Sequence, residues 1–241
     1  MNISTRTTTA MTTRMTTELN PLSLLHLLHS ASPALPVGAF AYSQGLEYAL
    51  DAQWCRTPDD VADWLSGLLQ NGLATLDLPI LKRLTESWQQ DDLDAVNHWN
   101  ALLLAFRETR ELTQEDVQVG EAFRQWHLNQ HPDQKARLMA VTTPTVASMF
   151  ALNATLKQID NASCLLGFGW SWLENQITAA SKAMPMGQSA GQKILQRLIP
   201  VLADAVERAL TLDADDIGSS CMGQAMASAL HEHQYSRLFR S

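Results

Sequence analysis

The stretch Asp91-Asp92-Leu93-Asp94-Ala95-Val96-Asn97-His98-Trp99-Asn100-Ala101-Leu102-Leu103-Leu104-Ala105-Phe106 decides the fold class. Val96, Trp99, Leu102, Leu103 and Phe106 recur at three- and four-residue spacing, which lines one face of a helix. The aspartates at its start suit the positive end of that helix. The same pattern repeats on either side. Thr57-Pro58-Asp59-Asp60 supplies a cap, a first-turn proline and acids, followed by Val61, Trp64, Leu65 and Leu68. Asn20-Pro21 opens an apolar helix carrying Leu22, Leu24, Leu25, Leu27 and Leu28. Further helices are expected from about Ala39 to Ala49, after a capping box at Thr113 and Asp116, after Thr143-Pro144, and from Asp160 to Ala180. The polar run LNQHPDQ reads as a loop or a helix end. Met184-Pro185-Met186-Gly187 reads as a break, with one helix from about Gln188 to Ile199 and another from Pro200 to Leu210. A last helix is expected from Asp213 to near Leu230.

No useful length alternates with a period of two, so strands are not expected. The prediction is an all-α, single-domain bundle of about nine to eleven helices. It spans residues 20–230, between a disordered threonine-rich tail, 1–19, and a C-terminal tail, 231–241. Hydrophobic residues are 46% of the chain and charged residues 17%, enough apolar material to exclude wholesale disorder. Lys and Arg number 17 against 25 Asp and Glu, so the basic field of a nucleic-acid binder is missing. No apolar run reaches the roughly 18 residues of a membrane span. The first residues lack the apolar segment of a secretory signal. Cys55, Cys164 and Cys221 suggest no disulfide framework. A cytoplasmic protein, with no membrane and no nucleic acid as partner, is expected.

The residues offer little catalytic chemistry. No phosphate-binding loop, HExxH zinc motif or GxSxG nucleophile is present. His231 and His233 are weak metal candidates, since imidazole suits Ni²⁺ or Zn²⁺. Two positions apart on a helix, they point in different directions. A catalytic pocket built from Glu108, Glu111 and a distant histidine is a further alternative. Three segments exceed what a plain helical domain needs. The apolar turn Ser32–Phe40 either packs on its own core or presents a preorganised surface. Trp170-Ser171-Trp172-Leu173-Glu174-Asn175-Gln176 is either an interface anchor or a core tryptophan pair. The terminal Tyr235-Ser236-Arg237-Leu238-Phe239-Arg240 reads as a segment that docks on a partner and orders on contact, with packing on its own domain as the rival. On the first reading this end contributes little core. The residues thus favour a helical interaction protein over an enzyme.

Residues 32–47, SPALPVGAFAYSQGLE, resemble the signature of the UreF family of urease accessory proteins. The resemblance continues in Glu108–Leu112, Trp170–Gln176, Pro185–Gln188 and Gln234–Ser241, and so covers about Leu22 to Ser241. Met186 stands where leucine is expected, and His233 adds an imidazole beside His231. The resemblance implies an all-α, dimeric protein without turnover of its own. It implies that the protein joins the accessory protein UreD, also called UreH, and then the GTPase UreG, and that the assembly engages apo-urease. Nickel insertion and carbamylation of the active-site lysine would follow. No tightly bound cofactor is implied, nickel and GTP being handled by the complex. The alternative is a direct nickel-binding carrier. The resemblance also implies that the tail becomes ordered on UreD. It marks Tyr235, Arg237, Leu238, Phe239 and Arg240 as tail contacts. Pro33, Pro36 and Gly38, with Tyr42, Gln44 and Glu47, would help shape a family-specific partner-binding surface.

Overall fold

In the computed structural model, which describes residues 20–241, every element is helical. The threonine-rich segment 1–19 lies outside the described residues. Helix α1, Pro21–Ser30, starts where expected: Asn20 accepts the Leu22 N–H and proline fills the first turn. The segment after it is mostly irregular. Ala39–Ala41 form one 3₁₀ turn, and α2 covers only Leu46–Asp51, shorter than the expected Ala39–Ala49 helix. Gly38 and Gly45 have φ of 80° and 82°, and Gln44 has φ of 55°. These left-handed residues break any continuous helix there. Gly45 is also a close-approach site, since a Cβ built on it would lie 2.8 Å from the Ser228 nitrogen.

Helix α3, Pro58–Leu68, opens with the reciprocal cap of Thr57 and Asp60. It runs into a π-helical segment, Leu69–Asp77, and then α4, Leu78–Gln89. Pro79 has no N–H to offer the Thr75 carbonyl, which instead accepts from Gly218, 3.0 Å away. Helix α5, Leu93–Ala105, carries the deciding sequence pattern. Helix α6, Arg110–Gln130, starts one turn earlier than the expected cap at Thr113, because Thr109 accepts the Leu112 N–H. The LNQHPDQ run holds the expected helix end, since α6 stops at Gln130, and a 3₁₀ turn, Pro132–Gln134, and the short α7, Lys135–Ala140, follow.

Helix α8, Val146–Leu156, is apolar on nearly every side and is buried almost throughout, which makes it the centre of the bundle. Helix α4 packs along it, and α6 flanks it. Helix α9, Asn161–Ala183, packs along α10, Gln188–Thr211. The expected break at Pro200 is absent. Pro200 and Gln196 are both exposed, so water can satisfy the carbonyl that loses its donor. A 3₁₀ turn, Ala214–Asp216, precedes α11, Met222–His231, which lies on α2 and α6. The last helix is therefore shorter than the expected span from Asp213. The all-α reading holds, and His231 belongs to α11 rather than to the tail.

Candidate functional site

Helix α6 places Glu111, Glu115 and Gln118 on one face, through spacings of four and three residues. Onto this face fold the 42–47 segment and the last residues of the chain. Tyr42 donates its hydroxyl to Gln118 Oε1 at 2.8 Å, and Gln44 donates its amide to Glu115 Oε1 at 2.8 Å. Trp172 Nε1 donates to the Gln44 side-chain oxygen Oε1 at 2.8 Å, and the Asn175 amide donates to the Tyr42 main-chain carbonyl at 3.1 Å. The half-buried Trp172 and Asn175 thus tie the 42–44 turn to α9.

The tail enters this arrangement as a fourth strand of contacts, without forming a sheet. Arg240 N–H donates to Ala41 O, and Ser43 N–H donates to Ser241 O, both at 2.8 Å. The Ser43 hydroxyl donates to the same Ser241 oxygen. Ser241 Oγ donates to Glu115 Oε2 at 2.9 Å. Glu47 accepts two consecutive main-chain amides, from Leu238 at 2.7 Å and Phe239 at 2.9 Å. Arg237 Nη1 lies 2.8 Å from Glu111 Oε1. Phe239 is only 6% exposed, and Lys182 Nζ sits over its ring and over that of Phe40. The tail therefore packs on its own domain, the rival of the partner-ordered reading, and it does contribute to the core.

His231 is fully buried between two carboxylates. Its Nδ1 is 2.7 Å from Glu111 Oε2, and its Nε2 is 3.1 Å from Glu47 Oε2. An ionised carboxylate only accepts, and a neutral imidazole has a single N–H. Both ring nitrogens face carboxylate oxygens, and the Arg237 guanidinium pairs with the second oxygen of Glu111. Neither ring nitrogen is free for a metal. His233 is exposed, so the two histidines sit in different surroundings. Among the described residues no group of three or more His, Cys, Asp and Glu side chains is placed to hold a metal ion.

Glu115 is a further buried acid of the face. Burial pushes its carboxyl up to about 7, against hydrogen bonds from Gln44 and Ser241 that pull it down. It lines a cavity of about 130 Å³ between α6 and α9, with Arg107, Asp77 and Asp116 on another wall. Arg107 reaches Asp77 at 2.5 Å and Asp116 at 2.6 Å. Burial works against the Arg107 charge, and the carboxylates of Asp116 and Asp77 overcome it and raise its affinity for the proton.

The structure separates the sequence-selected residues into two groups. Tyr42, Glu47 and Phe239 are buried, and Gln44 and Gly38 are half-buried; Tyr42, Gln44, Glu47 and Phe239 hold the tail and its neighbouring turn. Pro33, Pro36, Tyr235, Arg237, Leu238 and Arg240 face solvent. Within the Ser32–Phe40 turn, Leu35 is buried and Phe40 exposed, so the turn packs in part on its own core. Glu108 is exposed and bonded to Ser220, away from the Glu111–His231 pair. The catalytic trio of Glu108, Glu111 and a histidine is not assembled. Glu115, Ser43 and Arg107 were missed by sequence reasoning. The one available signal was the row of acids Glu111 and Glu115, four apart on a helix whose other positions already supplied a polar face.

A family model described as UreF matches residues 55–199. The urease accessory protein UreF of Hahella chejuensis is 48% identical over 221 residues, covering 92% of this chain and 99% of its own. That of Chromohalobacter salexigens is 45% identical over 232 residues, covering 96% of this chain and all of its own. That of Marinobacter nauticus is 44% identical over 222 residues, covering 91% and 95%. With a family model matched over more than half its length and relatives matched over nearly all of it, the chain belongs to the UreF family.

Proposed function

We propose that this chain is a non-catalytic assembly factor of urease maturation. It bridges a UreD/UreH-like accessory protein and a UreG-like GTPase, acts as a homodimer in the cytoplasm, and brings that assembly to apo-urease. Nickel insertion and lysine carbamylation are then steps of the complex, with nickel and GTP held by the partners. The relatives, named as urease accessory proteins, support the urease connection. The observation that carries the binding role is the surface around the tail. Leu238 is 67% exposed and Tyr235 fully exposed, beside the exposed residues Arg237 and Arg240. Helix α11, which leads into the tail, exposes Met222, Met226 and Leu230 one turn apart along one side. Aromatic, methionine and arginine side chains are the types enriched in interface cores.

Effects on GTP hydrolysis would arise through differential binding of the GTPase states. The test is removal of the gene from a urease-producing host. Urease from such cells is expected to be nickel-poor and inactive, with both restored by supplying this chain. Fully nickel-loaded, active urease without the chain would refute the proposal.

A further inference from the structure

His127 and His131 take no part in the site described above. They stand four residues apart, His127 in the last turn of α6 and His131 as its cap, and so share a face. His127 Nε2 lies 3.0 Å from the Met149 carbonyl of α8, which can only accept, so the ring proton is on Nε2. Burial pushes the His127 imidazole down to about 4, which keeps it neutral near pH 7 and leaves Nδ1 with a bare lone pair. His127 Nδ1 and His131 Nε2 are both buried, and neither has a hydrogen-bond partner among the described residues. The two ring centres are 6.2 Å apart. Two imidazoles that share one ion, at metal–nitrogen bonds of about 2.0–2.1 Å, have ring centres about 5–6.5 Å apart. A ligating histidine also gives its other N–H to a carbonyl or carboxylate, as His127 does.

The surroundings favour a cation. Helices α6 and α8 run side by side in one direction, with Gly120 against Pro144 and His127 against Met149. Their carbonyl ends therefore come together near residues 131 and 157, and helix dipoles leave partial negative charge at such ends. Lys157, at the end of α8, and Asp133, just past α6, are the charged side chains that act on the pair. Their charges oppose, which leaves the helix ends to set the sign. Phe123 stacks on the His127 ring at 4.9 Å and Trp126 meets it edge-on at 5.0 Å, while the half-buried His131 gives access from solvent. We propose that His127 and His131 form a two-imidazole site for one divalent ion of the Ni²⁺, Cu²⁺ or Zn²⁺ class. Among the described residues no set of three His, Cys, Asp and Glu ligands is present, so water completes the coordination. Imidazole suits these ions and not Mg²⁺ or Ca²⁺, which take oxygen. The site goes beyond the proposed function, which leaves the nickel of urease maturation with the partners. Here the ion ties down the end of α6 and needs no partner to bind.

The test is calorimetric titration of the full chain, untagged and stripped with a chelator, with NiCl₂ and separately with ZnCl₂. One ion per chain is expected, undisturbed by excess MgCl₂. His131→Ala should weaken binding about tenfold or more, whereas His233→Ala should leave it unchanged. His131→Gln takes the place of His131→Ala if circular dichroism shows that variant unfolded. Ni²⁺ should quench tryptophan fluorescence in the wild type, and Trp126→Phe should remove most of the quenching while keeping the binding. No binding by the wild type, or binding undiminished by loss of His131, would overturn the site. Quenching unaffected by Trp126→Phe would place the ion elsewhere and overturn it equally.

Discussion

Glu115 shows most directly how one residue couples the tail to solution conditions. Its carboxyl is raised by burial from 4.5 to about 7, with Asp116 adding to the rise and Gln44, Ser241 and Arg107 opposing it. A raised carboxyl means that the folded state holds the proton more tightly than the unfolded one. The stability it contributes is fully present below about pH 4.5 and is lost as pH rises through about 7. At about 1.4 kcal/mol per pH unit, the loss is on the order of 3 kcal/mol. Glu115→Gln keeps the shape and has no proton to lose. Denaturation measured from pH 5 to pH 8 should therefore show a smaller fall in stability for the variant than for the wild type. Parallel curves would show that Glu115 is not held in this way. The spacing of Glu111 and Glu115 is the one trace of this in the sequence. The (i, i+4) pair Glu111 and Glu115 looks like an ordinary solvated face until two distant segments cover it.

At the scale of elements, capping and periodicity were legible and interruptions were not. Thr57, Asp92 and Asp160 each accept an N–H at the start of a helix, as their residue types suggest. The failures have specific causes. Ala39–Ala49 carries helical composition but holds two left-handed residues, Gln44 and Gly45, with a third, Gly38, just before it. Pro200 reads as a break, yet its exposed helix face lets water replace the lost donor. The π-helical segment ending at Asp77 brings that carboxylate to Arg107, which also holds Asp116 of α6. One guanidinium thus joins three parts of the chain. Arg107→Met should lower stability by roughly 3–5 kcal/mol, because two largely buried carboxylates lose their counter-charge. Urea denaturation checks this, and a loss below about 1 kcal/mol would show that water already screens the bridge.

On the scale of the whole molecule, the all-α class follows from the helical spacing alone, and the family from the order of its segments. The site was half-legible. Tyr42, Gln44, Glu47 and the tail residues were singled out, but the contacts among them were not. Tyr42, Glu47 and Phe239 are buried supports, whereas Tyr235, Arg237 and Leu238 are what a partner can reach. That division depends on contacts between residues nearly 200 positions apart, such as Ser43 with Ser241, which no local spacing encodes. It also changes what removal of the tail should do. Without residues 232–241, Glu47 and Glu111 keep His231 but lose Arg237 and the tail amides, so the chain should be less stable as well as unable to bind.

The most direct measurement is co-purification of this protein with its host's UreD-like and UreG-like proteins, sized by light scattering, with and without residues 232–241. The account predicts a defined three-protein complex with the full chain. It predicts none with the shortened chain, even at temperatures where circular dichroism shows that chain still helical. An equally stable complex with the folded, shortened chain would contradict the central claim that the tail surface joins the partners.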